Sequence, residues 1–161
     1  KSNLIKEANM RGINNKRLVF AKRTSHDKYL AQFKYADLYL DTFIYNAGAT
    51  ASNALWMGLP VLTMSGNSYS ARMATSLLNS VGLGDLITNS IEDYQKLAID
   101  LSSNIKKLNS IKEKLRKNIS EKPLFDTDLY IKNFENGLNQ IFDNYIKGNK
   151  PKDIIVEKNI Y

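Results

Sequence analysis

The residues best placed for chemistry lie between Asn46 and Asn53, where the chain reads Asn-Ala-Gly-Ala-Thr-Ala-Ser-Asn. Asn46 to Ala49 carry no bulky side chain, so the main chain there can approach a ligand closely. A helix begins near Thr50 and offers its first N–H groups, together with the positive end of its dipole, to an anion. Phosphate capture is the chemistry this arrangement suits. A compact βαβ unit also needs small residues where strand meets helix, and that reading stays open beside the first. Asn53 lies one turn into the helix, where its amide could turn toward a ribose hydroxyl or simply face water. Asp41, at the end of the preceding apolar run, could accept a substrate hydroxyl or cap the loop that follows. Lys22, Arg23 and Arg72 could each reach a phosphate from neighbouring loops.

Other chemistries are excluded. The chain has one histidine, His26, and no cysteine, so neither a serine triad nor a histidine- or thiolate-rich metal site can be assembled. Asp37 and Asp41 flank a strand, but no pair of carboxylates shows acid–base spacing. The absence of cysteine fits a reducing compartment, and a cytoplasmic location is expected. No apolar run reaches the length of a membrane span, and no secretory leader is recognisable.

The net charge of +7 is unevenly distributed. Residues 1–34 hold nine Lys/Arg against two acids, 35–100 two against six, and 101–161 twelve against eight. Basic ends attract phosphate backbones, and a nucleic-acid binder would show affinity that falls steeply with salt. These lysines are scattered among helical positions rather than clustered with aromatics, so a solvated face is the better reading and no nucleic-acid partner is expected.

The elements that must position these residues follow from periodicity. Residues 2–11 read as a helix ended by Gly12, an unusual start for a parallel-sheet domain. Arg17–Ala21 reads as a strand, and Thr24 or Ser25 can cap a helix whose face is Tyr29, Leu30, Phe33 and Ala36. Leu38–Leu40 is a short strand. The helix from Thr50 runs through Trp56, stopped by Gly58 and Pro60, and Val61–Leu62 opens the next strand. A second polar loop, with Asn67 or Ser68 as cap, leads to a helix with a stripe of Met73, Ala74, Leu77, Leu78 and Val81, closed by Gly82. Leu86–Ile87 is a last extended piece. This alternation predicts α/β architecture with right-handed crossovers. Helices alone follow, from Ser90 to Leu101, over 104–119 until Pro123, and over 127–147. One domain is expected over 1–150, with 151–161 as a tail.

Several stretches carry a family resemblance. Ala36-Asp37-Leu-Tyr-Leu-Asp41-Thr42, Asn46, and Thr50-Ala-Ser-Asn-Ala-Leu-Trp56-Met-Gly58-Leu-Pro60-Val-Leu-Thr63 resemble the C-terminal lobe of O-linked N-acetylglucosamine transferases and SPINDLY-like proteins, glycosyltransferase family 41. Gly66-Asn-Ser-Tyr-Ser-Ala-Arg72, Pro123-Leu-Phe125-Asp126-Thr127 and Gly148-Asn-Lys-Pro151 continue the likeness. The resemblance implies a partial Rossmann-like lobe of a GT-B glycosyltransferase, with a nucleotide-sugar in the cleft. It also implies a separate first lobe bearing the catalytic histidine, a phosphate-binding lysine upstream of Lys1, and preceding tetratricopeptide repeats.

On that resemblance, Thr24 and His26 fall where the family contacts uracil, and Tyr29 where it usually has a histidine near the base. Gly48, Ala49 and Thr50 match a loop, usually His-Thr-Thr, that touches diphosphate and sugar. Asn53 stands at the usual ribose-binding aspartate. Gly48-Ala49 removes an imidazole and a hydroxyl but keeps the backbone donors, and Asn53 keeps an acceptor without its charge. The implied function is donor binding for an inverting, metal-independent transfer without cofactor from a UDP-sugar to a protein acceptor. A chain without the other wall of the cleft would be inactive alone. The alternative is a non-catalytic nucleotide- or protein-binding module derived from that lobe.

Overall fold

The computed structural model describes residues 1–157, which contain seven α-helices and three strands. The chain divides into two compact units, Lys1–Gln32 and a larger one beginning at Phe33.

The first unit starts with the expected helix, α1 (Ser2–Met10), and ends with α2 (His26–Gln32). The strand expected at Arg17–Ala21 does not form. The Asn14 side chain accepts from the Lys16 N–H at 2.9 Å and winds Asn15–Arg17 into a 3-10 turn. Leu18–Ala21 joins no ladder, and Val19 is 91% exposed. Val and Phe favour strands because they pack on a pleated neighbour, and the other described elements of this unit are helical.

The larger unit has the expected class, a partial Rossmann-like parallel sheet followed by C-terminal helices. It runs β1 (Tyr39–Leu40), α3 (Ala49–Trp56), β2 (Val61–Met64), α4 (Met73–Ser80) and β3 (Ile87–Thr88). The helices α5 (Ile91–Ser103), α6 (Ile105–Glu121) and α7 (Thr127–Ile146) complete it. The sheet order is β1-β2-β3, parallel throughout, with Tyr39 opposite Val61 and Thr63 opposite Ile87. Central β2 is buried from Val61 to Thr63, as expected for a strand covered on both faces. Around it pack Leu55, Leu78, Leu101 and Leu115, all fully buried.

Helix ends follow local chemistry. Gly58 takes φ +78 just past α3, a conformation open to glycine at no steric cost. Ser90 Oγ accepts from the Asp93 N–H at 3.1 Å, Asn104 Oδ1 from Lys107 at 3.0 Å, and Asp126 Oδ1 from Leu129 at 2.9 Å. Each satisfies one of the orphan donors of a first helical turn. The described part of the expected tail lies along α7. Asn144 Nδ2 donates to the Lys150 carbonyl at 3.2 Å, and Val156 packs over Gly137. Residues 158–161 of that tail lie outside the described residues.

Candidate functional site

The carboxyl end of β1 opens a loop, residues 41–48, that delivers the chain to the head of α3. Asp41 is only 3% exposed. Its Oδ1 accepts from the N–H groups of Thr42 at 2.8 Å and Ala47 at 2.7 Å, and its Oδ2 accepts from the Thr63 hydroxyl at 2.7 Å. Both carboxylate oxygens are therefore engaged in holding the loop, which decides between the two roles open to Asp41 in the sequence. Asn46, 1% exposed, donates from Nδ2 to the Thr42 carbonyl at 2.9 Å, and its main-chain N–H donates to the Ser70 carbonyl at 3.1 Å. Thr42 Oγ1 donates to the Tyr45 carbonyl at 2.8 Å. With both flanks tied, Ile44 at the tip is held at φ +68 although β-branched. Left-handed backbone costs such a residue about 1–2 kcal/mol.

The loop ends at Gly48, the N-cap of α3, where no side chain caps the helix. The N–H groups of the first turn have no intrahelical acceptor, and Ala49 and Thr50 are exposed there. Thr50 Oγ1 accepts from the Tyr39 hydroxyl at 3.4 Å and keeps its own hydrogen for another acceptor. Asn53 is half-buried on the next turn. A Cβ added at Gly48 would lie 3.1 Å from Met73 Cε, so a methionine methyl already fills the space beside this glycine. Sequence periodicity assigned Met73 to the buried stripe and gave no sign of that contact.

Tyr94, on α5, is the residue that sequence reading missed. Its hydroxyl donates to the Asp41 carbonyl at 3.0 Å, and its ring meets Phe43 edge-on at 4.7 Å between centroids. Spacing with Leu97 and Leu101 places it on the inner face of α5, and a buried phenol must find an acceptor. Burial pushes its pKa up to about 12, with the charges of Asp41 and Tyr39 adding to the effect. The folded state thus holds the phenolic proton more tightly than the unfolded chain, whose tyrosines titrate near pH 10. The stabilisation is complete below pH 10 and disappears as pH rises through about 12. Chemical denaturation at pH 9 and pH 12 should show a loss of about 2–3 kcal/mol in the parent that Tyr94→Phe lacks.

In the first unit, Thr24, His26 and Tyr29 line one shallow pocket of about 480 Å³, with Lys22, Arg23 and Gln32 also on its walls. The His26 and Tyr29 ring centroids are 6.2 Å apart. The structure thus brings the three residues expected at a base together, and the two cations with them. Gln32 had no signal beyond its helical spacing from Tyr29. Gly48, Ala49, Thr50 and Asn53 gather separately around the head of α3 in the larger unit.

The model of glycosyl transferase family 41 matches residues 1–134. The chain belongs to that family. A SPINDLY protein of Eustoma exaltatum subsp. russellianum, named "Probable UDP-N-acetylglucosamine--peptide N-acetylglucosaminyltransferase", is 34% identical over 127 residues, covering 79% of this chain and 14% of the relative. The SEC protein of Arabidopsis thaliana, with the same enzyme name, is 30% identical over 149 residues, covering 92% and 15%. Among solved structures, a mutant of the Thermobaculum terrenum O-GlcNAc transferase matches with a TM-score of 0.70 at 32% identity, over 74% of this chain and 23% of that one. The chain spans about 14–15% of the length of these curated relatives. Among the described residues, no helix is long and apolar enough to cross a membrane, and no cluster of three or more acidic, histidine or cysteine side chains could hold a metal ion.

Proposed function

We propose that this chain is the donor-binding lobe of an inverting, metal-independent protein glycosyltransferase acting in the cytoplasm. The donor is a nucleotide-sugar of the UDP-N-acetylglucosamine type, and the acceptor is a protein hydroxyl. The observation that carries this reading is the open head of α3. An eight-residue helix follows the loop at the carboxyl end of a parallel strand, and no side chain hydrogen-bonds its first N–H groups. In open α/β sheets ligands bind at that edge, and amides already aimed at one point stabilise charge as it develops on a leaving diphosphate. Thr50 Oγ1 adds a hydroxyl donor beside them. Asn53, one turn into α3, takes a ribose hydroxyl. Asp41 is engaged by its own loop, so we assign this chain donor binding and leave deprotonation of the acceptor to the rest of the whole protein. The isolated 161-residue chain then binds donor without transferring sugar.

Titration calorimetry with UDP, UDP-N-acetylglucosamine and GDP-fucose tests the reading. Saturable binding of UDP is expected. Thr50→Ala, losing one donor to a charged group, should weaken it about tenfold or more. Gly48→Val should weaken it further, because the added side chain has to displace Met73 and shift the turn that aims the amides. Binding of none of the three nucleotides would turn the assignment toward a protein-interaction module.

A further inference from the structure

We propose that Tyr94 is a positioning residue for the anion-binding turn, holding the loop between β1 and α3 from a helix that follows it by two strands. The inference rests on the donor-site reading. Two contacts carry it. The Tyr94 hydroxyl fixes the Asp41 carbonyl at 3.0 Å, and the ring edge fixes Phe43 at 4.7 Å. Between them they anchor the residue whose carboxylate gathers Thr42, Ala47 and Thr63, and the residue just before strained Ile44. Asn46 ties the far flank to Ser70, and Thr42 ties Tyr45 within the loop. Tyr94 is therefore the hold that α5 adds on the near flank, while Ile44 and Tyr45 are 86% and 74% exposed. Where Asp41 sits decides where Ala47 sits, and Ala47 leads directly into Gly48 and the open amides. A displacement at the start of the loop is therefore passed to the turn.

Tyr94→Phe is the informative variant, because it keeps the ring against Phe43 and removes only the donor. Leu101→Val, in the core of the same helix, serves as a control that lowers stability without touching the loop. UDP and uridine are titrated against parent and variants, with amide hydrogen exchange read at Thr42, Ala47 and Thr50. The expected result is a three- to tenfold loss of UDP affinity in Tyr94→Phe, about the net value of one hydrogen bond. Uridine binding should be unchanged and exchange at Ala47 faster. Leu101→Val should melt earlier and bind UDP as the parent does. Equal UDP affinity in parent and Tyr94→Phe overturns the proposal, as does an equal loss in Leu101→Val. If the parent binds none of UDP, UDP-N-acetylglucosamine and GDP-fucose, the donor reading fails by itself. Exchange then decides the positioning role: faster exchange at Ala47 in Tyr94→Phe sustains it, and unchanged exchange ends it.

Discussion

Asp41→Ala should lower the unfolding free energy by about 3–5 kcal/mol and remove detectable UDP binding. Alanine leaves three donors without their acceptor, the N–H groups of Thr42 and Ala47 and the Thr63 hydroxyl. The site is 3% exposed, so water cannot readily replace the carboxylate. Each buried donor left unpaired costs about 1–3 kcal/mol, and relaxation of the exposed loop recovers part of the sum. Asp41→Asn should be far milder, near 1 kcal/mol. Its amide oxygen can still accept from Thr42 and Ala47, while its NH2 can donate to Thr63, whose hydroxyl rotates from donor to acceptor. Urea denaturation gives the two stabilities, and calorimetry with UDP gives the binding. Equal losses in the two variants would mean that the negative charge, and not the acceptor geometry, holds the loop.

What could be read in the sequence was whatever short spacing decides. Gly58 and Pro60 marked the end of α3, Ser90 marked a helix start, and the small residues of 46–49 marked the open turn. Each depends on neighbours within four residues. The strand expected at Arg17–Ala21 failed because pairing is a property of two segments, and the sequence of one does not supply the other. Asp41 was visible as a polar residue closing an apolar run, but its role depends on Thr63, which is 22 residues away. Tyr94 lies 53 residues from the carbonyl it holds, and no spacing connects the two. The candidate site was legible as a backbone feature. Its supports come from other elements of the sheet and were not.

Gly82→Val shows the same division between local and distant causes, with an effect of comparable size. The glycine closing α4 was expected as a helix stop, and it takes φ +73. Left-handed geometry alone costs a branched residue about 1–2 kcal/mol. The larger part comes from α6. A Cβ at position 82 would lie 2.9 Å from Asn118 Nδ2, which donates to the Val81 carbonyl at 2.8 Å. Asn118 is 7% exposed, so pushing its amide aside strands a buried carbonyl at the end of α4. That adds about 1–3 kcal/mol, for a total loss of about 2–5 kcal/mol in chemical denaturation. Asn118→Ala should cost about 1–3 kcal/mol through the same carbonyl. Because both variants break one hydrogen bond, the double mutant should be less destabilised than the two single losses added together, by at least about 1 kcal/mol. Strict additivity would mean that the penalty at position 82 is backbone strain alone and that Asn118 does not cap α4.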